Sequence, residues 1–308
     1  MQLACIYIKK EVKYLLKKFM SIILILSLAV GLCACNNSAD AKTTNDKIKV
    51  VVSFNAMKEL TYAVGKDKVD IDTIIPEGQE PHDYEPKIRD LASLTDGKLF
   101  VYSGMDLEKW ASTAIDAASN KDLIAVDASK GFEPIKTSSG AYDPHVWISL
   151  KGAQYEANQI KEGLIKADPK DKAYFEKNYS AFKAQTDSLY SEYKSKFASS
   201  PKKSFVTGHA AFSYMCRDFN LQQNSVEDVF ADGEPSSQKL QELITYCQKN
   251  KVTTVFVEDM VSPKISETLA SEVGAKVEKI YTVESKEDNL DYIESMKKNL
   301  DDIYKSLQ

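Results

Sequence analysis

Short apolar runs rich in Val, Ile and Phe alternate with segments of helical period along most of the chain. KIKVVVSF (47–54), VDIDTII (69–75), KLFVY (98–102) and LIAV (123–126) have the length and composition of buried strands. Between and after them, helices are predicted from Asn55 to a C-terminal stop at Gly65, over KIRDLASL (87–94), over LEKWASTAIDAA (107–118) and over 149–166. Strand followed by helix, repeated, implies a parallel sheet covered on both faces. The alternation restarts near residue 200. KSFV (203–206), LQQNSV (221–226), VTTVFV (252–257) and AKVEKIYT (275–282) are the strands. HAAFSYMCRDF (209–219), SSQKLQELITYCQ (236–248), SPKISETLASEV (262–273) and LDYIESMKKNLDDIYKSL (290–307) are the helices, with Ser236 or Ser237 as an N-cap.

From Lys170 to Ala198 there is neither Gly nor Pro, and aromatic residues recur at Tyr174, Phe175, Tyr179, Phe182, Tyr190 and Tyr193. One helix of about 28 residues would be roughly 42 Å long, the width of a lobe. The expected architecture is therefore α/β. Two (β/α) lobes with parallel sheets, residues 48–169 and 200–308, are joined by one long rigid helix at 170–199.

The first residues follow a different pattern. Lysines at 9, 10, 13, 17 and 18 precede an apolar stretch, Ser21 to Cys35, that is shorter than the about 20 residues a membrane-spanning helix needs. A basic region, an apolar core and small residues describe a secretory signal at 1–34. Leu32-Cys33-Ala34-Cys35 resembles a bacterial lipobox, which makes Cys35 the acylated residue and 35–47 a polar, flexible tether. An ordinary cleaved signal or a short anchor helix is the alternative. Loss of residues 1–34 takes away a net charge of +4 and moves the whole-chain value of −5 to about −9. Nucleic-acid binding through a general basic surface is thereby excluded. Of five cysteines, two leave with the signal and one would be acylated, so Cys216 and Cys247 remain. No CxxC spacing suggests a thiolate metal site, and two buried thiols are expected rather than a disulfide.

The chain has only three histidines. His82 lies in PEGQEPHDYEP after a strand, held between Pro81 and Pro86. His145 lies in DPHVW, after the LIAV strand and a Gly- and Pro-containing connection. His209 lies in VTGHAAF, immediately after KSFV. All three thus fall beyond the outgoing ends of strands, where open α/β sheets bind ligands. A lone histidine is ordinarily a hydrogen-bonded, half-buried residue, but placing every copy at such an end points to a three-imidazole metal site. Neutral imidazole suits Zn, Cu, Ni and Fe, with zinc the commonest ion held this way.

PHDYEP, DPHVWISL, GHAAFSY, GEPSS and VFVEDMVSPKISETLASEVGAKV, in this order, resemble the metal-binding lipoproteins of zinc and manganese ABC importers, the cluster A-I solute-binding proteins. The similarity runs from about Lys47 to Gln308. It implies two lobes joined by one helix with metal in the cleft between them. It also implies a membrane permease as partner, lipid anchoring outside the cytoplasm, a monomer, and no enzymatic activity. Zinc members have histidine at the position of His209, where manganese members usually carry a carboxylate. Glu284 in IYTVESKED resembles the glutamate of streptococcal laminin-binding and zinc-uptake lipoproteins, whereas a manganese-type protein has aspartate where this chain has Val283. The resemblance thus implies His82, His145, His209 and Glu284 as ligands of Zn2+, with Mn2+ as the alternative ion and water as the alternative fourth ligand. Asp83, Glu80 and Asp143 are candidate acceptors for the imidazole N–H groups, and Glu234 is assigned to the lobe interface or a helix cap. Many zinc-uptake relatives carry a histidine-rich loop before the second site, and here KGFEPIKTSSGAYDPH has none but His145.

A zinc hydrolase and a surface adhesin with structural zinc are the rival classes. No HExxH occurs, and a fourth protein ligand would close the position that a hydrolytic water needs. No segment identifies a matrix contact.

Overall fold

The computed structural model describes residues 47–308 except 138–139, 231–234 and 261. The secretory signal, Cys35, the tether as far as residue 46, and Glu234 lie outside the described residues. In the first half, β1 (Ile48–Val52), β2 (Val69–Thr73), β3 (Leu99–Tyr102) and β4 (Ile124–Asp127) form a parallel sheet in the order β2-β1-β3-β4. The second half repeats that order with β5 (Ser204–Thr207), β6 (Gln222–Ser225), β7 (Thr254–Val257) and β8 (Lys276–Lys279), arranged β6-β5-β7-β8 and again parallel. The central strands carry Val50, Val52, Val101, Val206 and Val255, all buried. The edge strands β2 and β6 are short and polar, which discourages further pairing. In each sheet the strand order reverses next to the first strand, so a crevice opens above β1/β3 and above β5/β7.

The helices are α1 (Asn55–Gly65), α2 (Ala111–Ala118), α3 (Leu150–Ala167), α4 (Lys172–Ser199), α5 (Ser213–Phe219), α6 (Ser237–Asn250), α7 (Pro263–Val273) and α8 (Tyr292–Ser306). Several start where a side chain satisfies the free N–H groups of the first turn. Ser149 Oγ accepts from Gly152, Ser236 Oγ accepts from Lys239, and Asp291 and Glu294 cap each other reciprocally. The 28-residue α4 buries Phe175, Phe182, Thr186, Leu189, Tyr193 and Phe197 along one side. All but Thr186 join one apolar core that also contains Phe54 and Trp147 from the first half and Phe205, Phe212, Phe219 and Leu300 from the second. The two sheets therefore share packed side chains through α4, which ties them together more firmly than a bare linker would.

Four local expectations differ from the structure. Residues 87–94 were expected as an α-helix, but Ile88–Thr95 is a 310 stretch. It fully buries Leu94, packs Leu91 against the same cluster and leaves Ile88 93% exposed, and the three-residue spacing of the two inward leucines matches the three residues per turn of a 310 helix. The helix expected from Leu107 starts at Ala111. Glu108 turns its carboxylate back to accept the Ser103 and Gly104 N–H groups at 2.9 and 3.0 Å, which keeps the preceding segment out of helical geometry. The helix expected from His209 starts at Ser213, because the His209 carbonyl accepts from the Thr207 hydroxyl and the Gln223 amide instead. Gly65 also differs. It keeps right-handed backbone while Lys66 takes the positive φ of 48°, and the glycine is needed because a Cβ would stand 2.4 Å from Val69 Cγ1.

Candidate metal centre

Each histidine is fixed by its own short segment. His82 follows β2 by a loop in which its backbone N–H donates to Glu80 Oε1 at 3.2 Å. His145 precedes a fully buried 310 turn, Val146–Ile148, whose Trp147 packs edge-on against Phe54. Its backbone N–H and its ring Nδ1 both meet Asp143 Oδ1 at 2.9 Å. A carboxylate only accepts, so Nδ1 carries the proton and the lone pair of a neutral ring sits on Nε2. His209 follows β5 directly, on backbone pinned by Thr207 and Gln223. Glu284 lies past β8, with Oε2 accepting from the Thr282 hydroxyl at 2.7 Å and Oε1 without a hydrogen-bond partner.

These four residues, more than sixty positions apart from one another in sequence, offer donor atoms that all lie within 4.8 Å of one another. His145 Nε2 is 3.0 Å from His82 Nε2 and 3.3 Å from His209 Nε2. Glu284 Oε1 is 3.7 Å from His82 Nε2 and 3.6 Å from His145 Nε2. Four ligands arranged tetrahedrally at about 2.0–2.1 Å around an ion stand about 3.3–3.4 Å apart. The observed spacings scatter about that value. The side chains of His82, His145, His209 and Glu284 are essentially inaccessible to solvent. Buried donor atoms converging on one point, with Glu284 Oε1 making no hydrogen bond, form a set of three nitrogens and one oxygen that suits zinc.

The electrostatics follow from burial and neighbours. Burial opposes charge on His145, but Asp143 and Glu284 outweigh it and raise its pKa to about 9. Burial pushes His209 down to about 3, against the pull of Glu284. Burial also works to raise Glu284, yet its contacts with His145 and His82 hold it well below the usual carboxylate range. Without a metal, the His145–Glu284 contact is thus an ion pair, and the His209 imidazole is neutral.

Of the candidate acceptors, Asp143 engages the His145 ring, and Glu80 lies 3.8 Å from His82 Nε2. Burial, followed by the Glu284 charge, raises Glu80 to about 8. Asp83 stays outside the four-residue cluster. Glu258 was not anticipated. It sits one residue past β7 at the crevice of the second sheet, accepts the His209 backbone N–H at 3.3 Å, and lies 3.7 Å from His209 Nδ1. Burial raises it to about 8. An acid directly after the apolar run VTTVFV was the available signal. Cys216 and Cys247 are buried free thiols, far up from their ordinary pKa through burial.

Comparison with known proteins adds an independent line. The profile of the family described as ZnuA, zinc-uptake complex component A, periplasmic, matches residues 50–306. A Treponema pallidum (strain Nichols) protein described only in terms of metal binding is 43% identical over 289 residues, covering 89% of this chain and 92% of its own. The high-affinity zinc uptake system protein ZnuA of Bacillus subtilis is 36% identical, covering 94% and 98%. The solved laminin-binding protein Lmb of Streptococcus agalactiae, described as bifunctional with adhesin and metal transporting activity, superposes with a TM-score of 0.81 at 35% identity. That match covers 85% of this chain and 100% of that one.

Proposed function

The chain belongs to the zinc-uptake complex component A family, and from that footing we propose that it captures Zn2+ outside the cytoplasm and delivers it to the permease of an ABC-type importer. The observation that carries this reading is the convergence of His82, His145, His209 and Glu284 on one buried point. His82 and His145 come from the lobe assigned to residues 48–169, and His209 and Glu284 from the lobe assigned to 200–308. The ion therefore ties the two lobes together, and its release requires separating their ligands. The core shared through the helix at 170–199 restrains a wide swing, so exchange proceeds by movement of the ligand-bearing loops.

In this reading residues 1–34 are a removed signal, Cys35 carries the lipid anchor, 35–47 is the tether, and the mature protein is a monomer. No described helix is long and apolar enough to cross a membrane. The three-imidazole, one-carboxylate set favours zinc over manganese, because harder Mn2+ prefers oxygen donors. A relative from Streptococcus pneumoniae, 30% identical, is described as a manganese ABC transporter substrate-binding lipoprotein, and manganese is therefore the competing ion to test. The adhesin activity in the description of the S. agalactiae relative is the ground for a second role in matrix binding.

Calorimetric titration of metal-stripped protein with Zn2+ and Mn2+ tests the proposal. One zinc per chain, bound much more tightly than manganese, is expected. His145→Ala should weaken zinc by more than the about 10–100-fold that losing an outer partner of a ligand costs. Equal or tighter manganese binding would overturn the assignment of the ion.

A further inference from the structure

We propose that Asn55 is a positioning residue for the fourth ligand: reaching across from the first lobe, its amide holds the backbone on both sides of Glu284 and so sets that carboxylate against the histidines. The inference rests on reading the four-residue cluster as the zinc site. Asn55 is the first residue of α1, immediately beyond β1, and is buried. Its Nδ2 donates to the Val283 carbonyl at 3.1 Å and to the Ser285 carbonyl at 3.0 Å. Both amide protons are therefore committed to the two residues that flank Glu284.

The backbone they hold is not one that the segment would choose freely. Val283 sits at φ 62°, in the left-handed region that a β-branched side chain disfavours strongly. Strained residues persist where their surroundings over-determine them, and they concentrate at binding sites. The surroundings here come almost wholly from the first lobe. Trp147 Nε1 donates to the Thr282 carbonyl at 2.8 Å, and Ser285 Oγ accepts from the Gly78 N–H at 2.9 Å while donating to Glu77 at 2.8 Å. Asn55 is the member of this set that brackets the ligand itself. A right-handed Val283 would redirect the Glu284 side chain, so loss of the clamp moves the carboxylate without removing it. The second lobe contributes the ligand, and the first lobe determines where it points.

The test is a double-mutant cycle between Asn55 and Glu284. Asn55→Asp is nearly isosteric but replaces the donor by an acceptor facing two carbonyls. Zinc affinity, measured by competition with a chelator of known strength, should fall about 10–100-fold in Asn55→Asp, as it does when an outer partner of a ligand is lost. The loss should appear as faster release, with association unchanged. In the Glu284→Ala background the same substitution should cost less than about threefold, because the residue it positions is gone. A residue with a merely structural role would lower the metal-free melting temperature and cost the same affinity in both backgrounds. That outcome, or wild-type affinity in Asn55→Asp, overturns the proposal. If Asn55→Asp does not fold, Asn55→Ala removes the donors without adding charge and carries the same cycle. Wild-type protein that binds no zinc would instead defeat the zinc reading, and it is measured before any variant.

Discussion

Buried between Asp143 and Glu284, the His145 ring is the group at which proton and metal compete in the proposed site. Its pKa of about 9 in the absence of metal means that it is protonated at neutral pH. A zinc ligand must offer the free lone pair. Binding therefore expels about one proton per ion, and apparent affinity should fall about tenfold for each unit that pH drops below about 9. Above that value the dependence flattens. Titration in buffers of different ionisation enthalpy measures the released proton directly, and a count of zero at pH 7–8 would contradict the His145–Glu284 pairing. At this scale the sequence was legible for the three histidines, because a residue used three times in the whole chain falls each time beyond a strand. Glu258 and Asn55 were not legible. Each is one acid or amide among many, and its role depends on a neighbour brought close only by folding, His209 for one and the 283–285 backbone for the other.

Among the elements, α3 links the metal site to the scaffold. Its first turn packs so tightly on the 310 turn after His145 that a Cβ on Gly152 would stand 2.0 Å from the Val146 carbonyl oxygen. Gly152→Ala should cost about 1–3 kcal/mol of stability through overpacking, and it should also weaken zinc by displacing His145. Gly163, eleven residues and about 16 Å further along the same helix, would meet Val126 Cγ2 at 2.6 Å. Gly163→Ala should destabilise comparably while leaving zinc affinity within about threefold, since distant sites act independently. Denaturant unfolding and zinc titration of both variants check the contrast, and equal affinity losses would contradict it. Strands and long helices were legible because apolar runs and helical periods declare themselves over many residues. The late starts of α2 and α5 were not, because hydrogen bonds accepted by Glu108 and donated by Thr207 and Gln223 decide them, and the 310 stretch at 88–95 was not, because its burial depends on tertiary packing.

For the whole molecule, the repeated order β2-β1-β3-β4 and β6-β5-β7-β8 builds two crevices, and α4 with its shared core sets them facing one point. Each half supplies two donors, so neither can form the site alone. The division into halves was visible in the restart of strand–helix alternation near residue 200. How far the halves fuse was not visible, because Phe54, Trp147, Phe182 and Phe212 become neighbours in one core only through tertiary packing.

X-ray absorption at the zinc edge of the loaded protein looks directly at the ion proposed to join these two halves. Three imidazole nitrogens and one carboxylate oxygen, in a first shell at about 2.0–2.2 Å, are expected, with one imidazole fewer in His145→Ala. A shell of sulfur, an oxygen-rich six-coordinate shell, or an imidazole count unchanged by that substitution would contradict a zinc site made from His82, His145, His209 and Glu284.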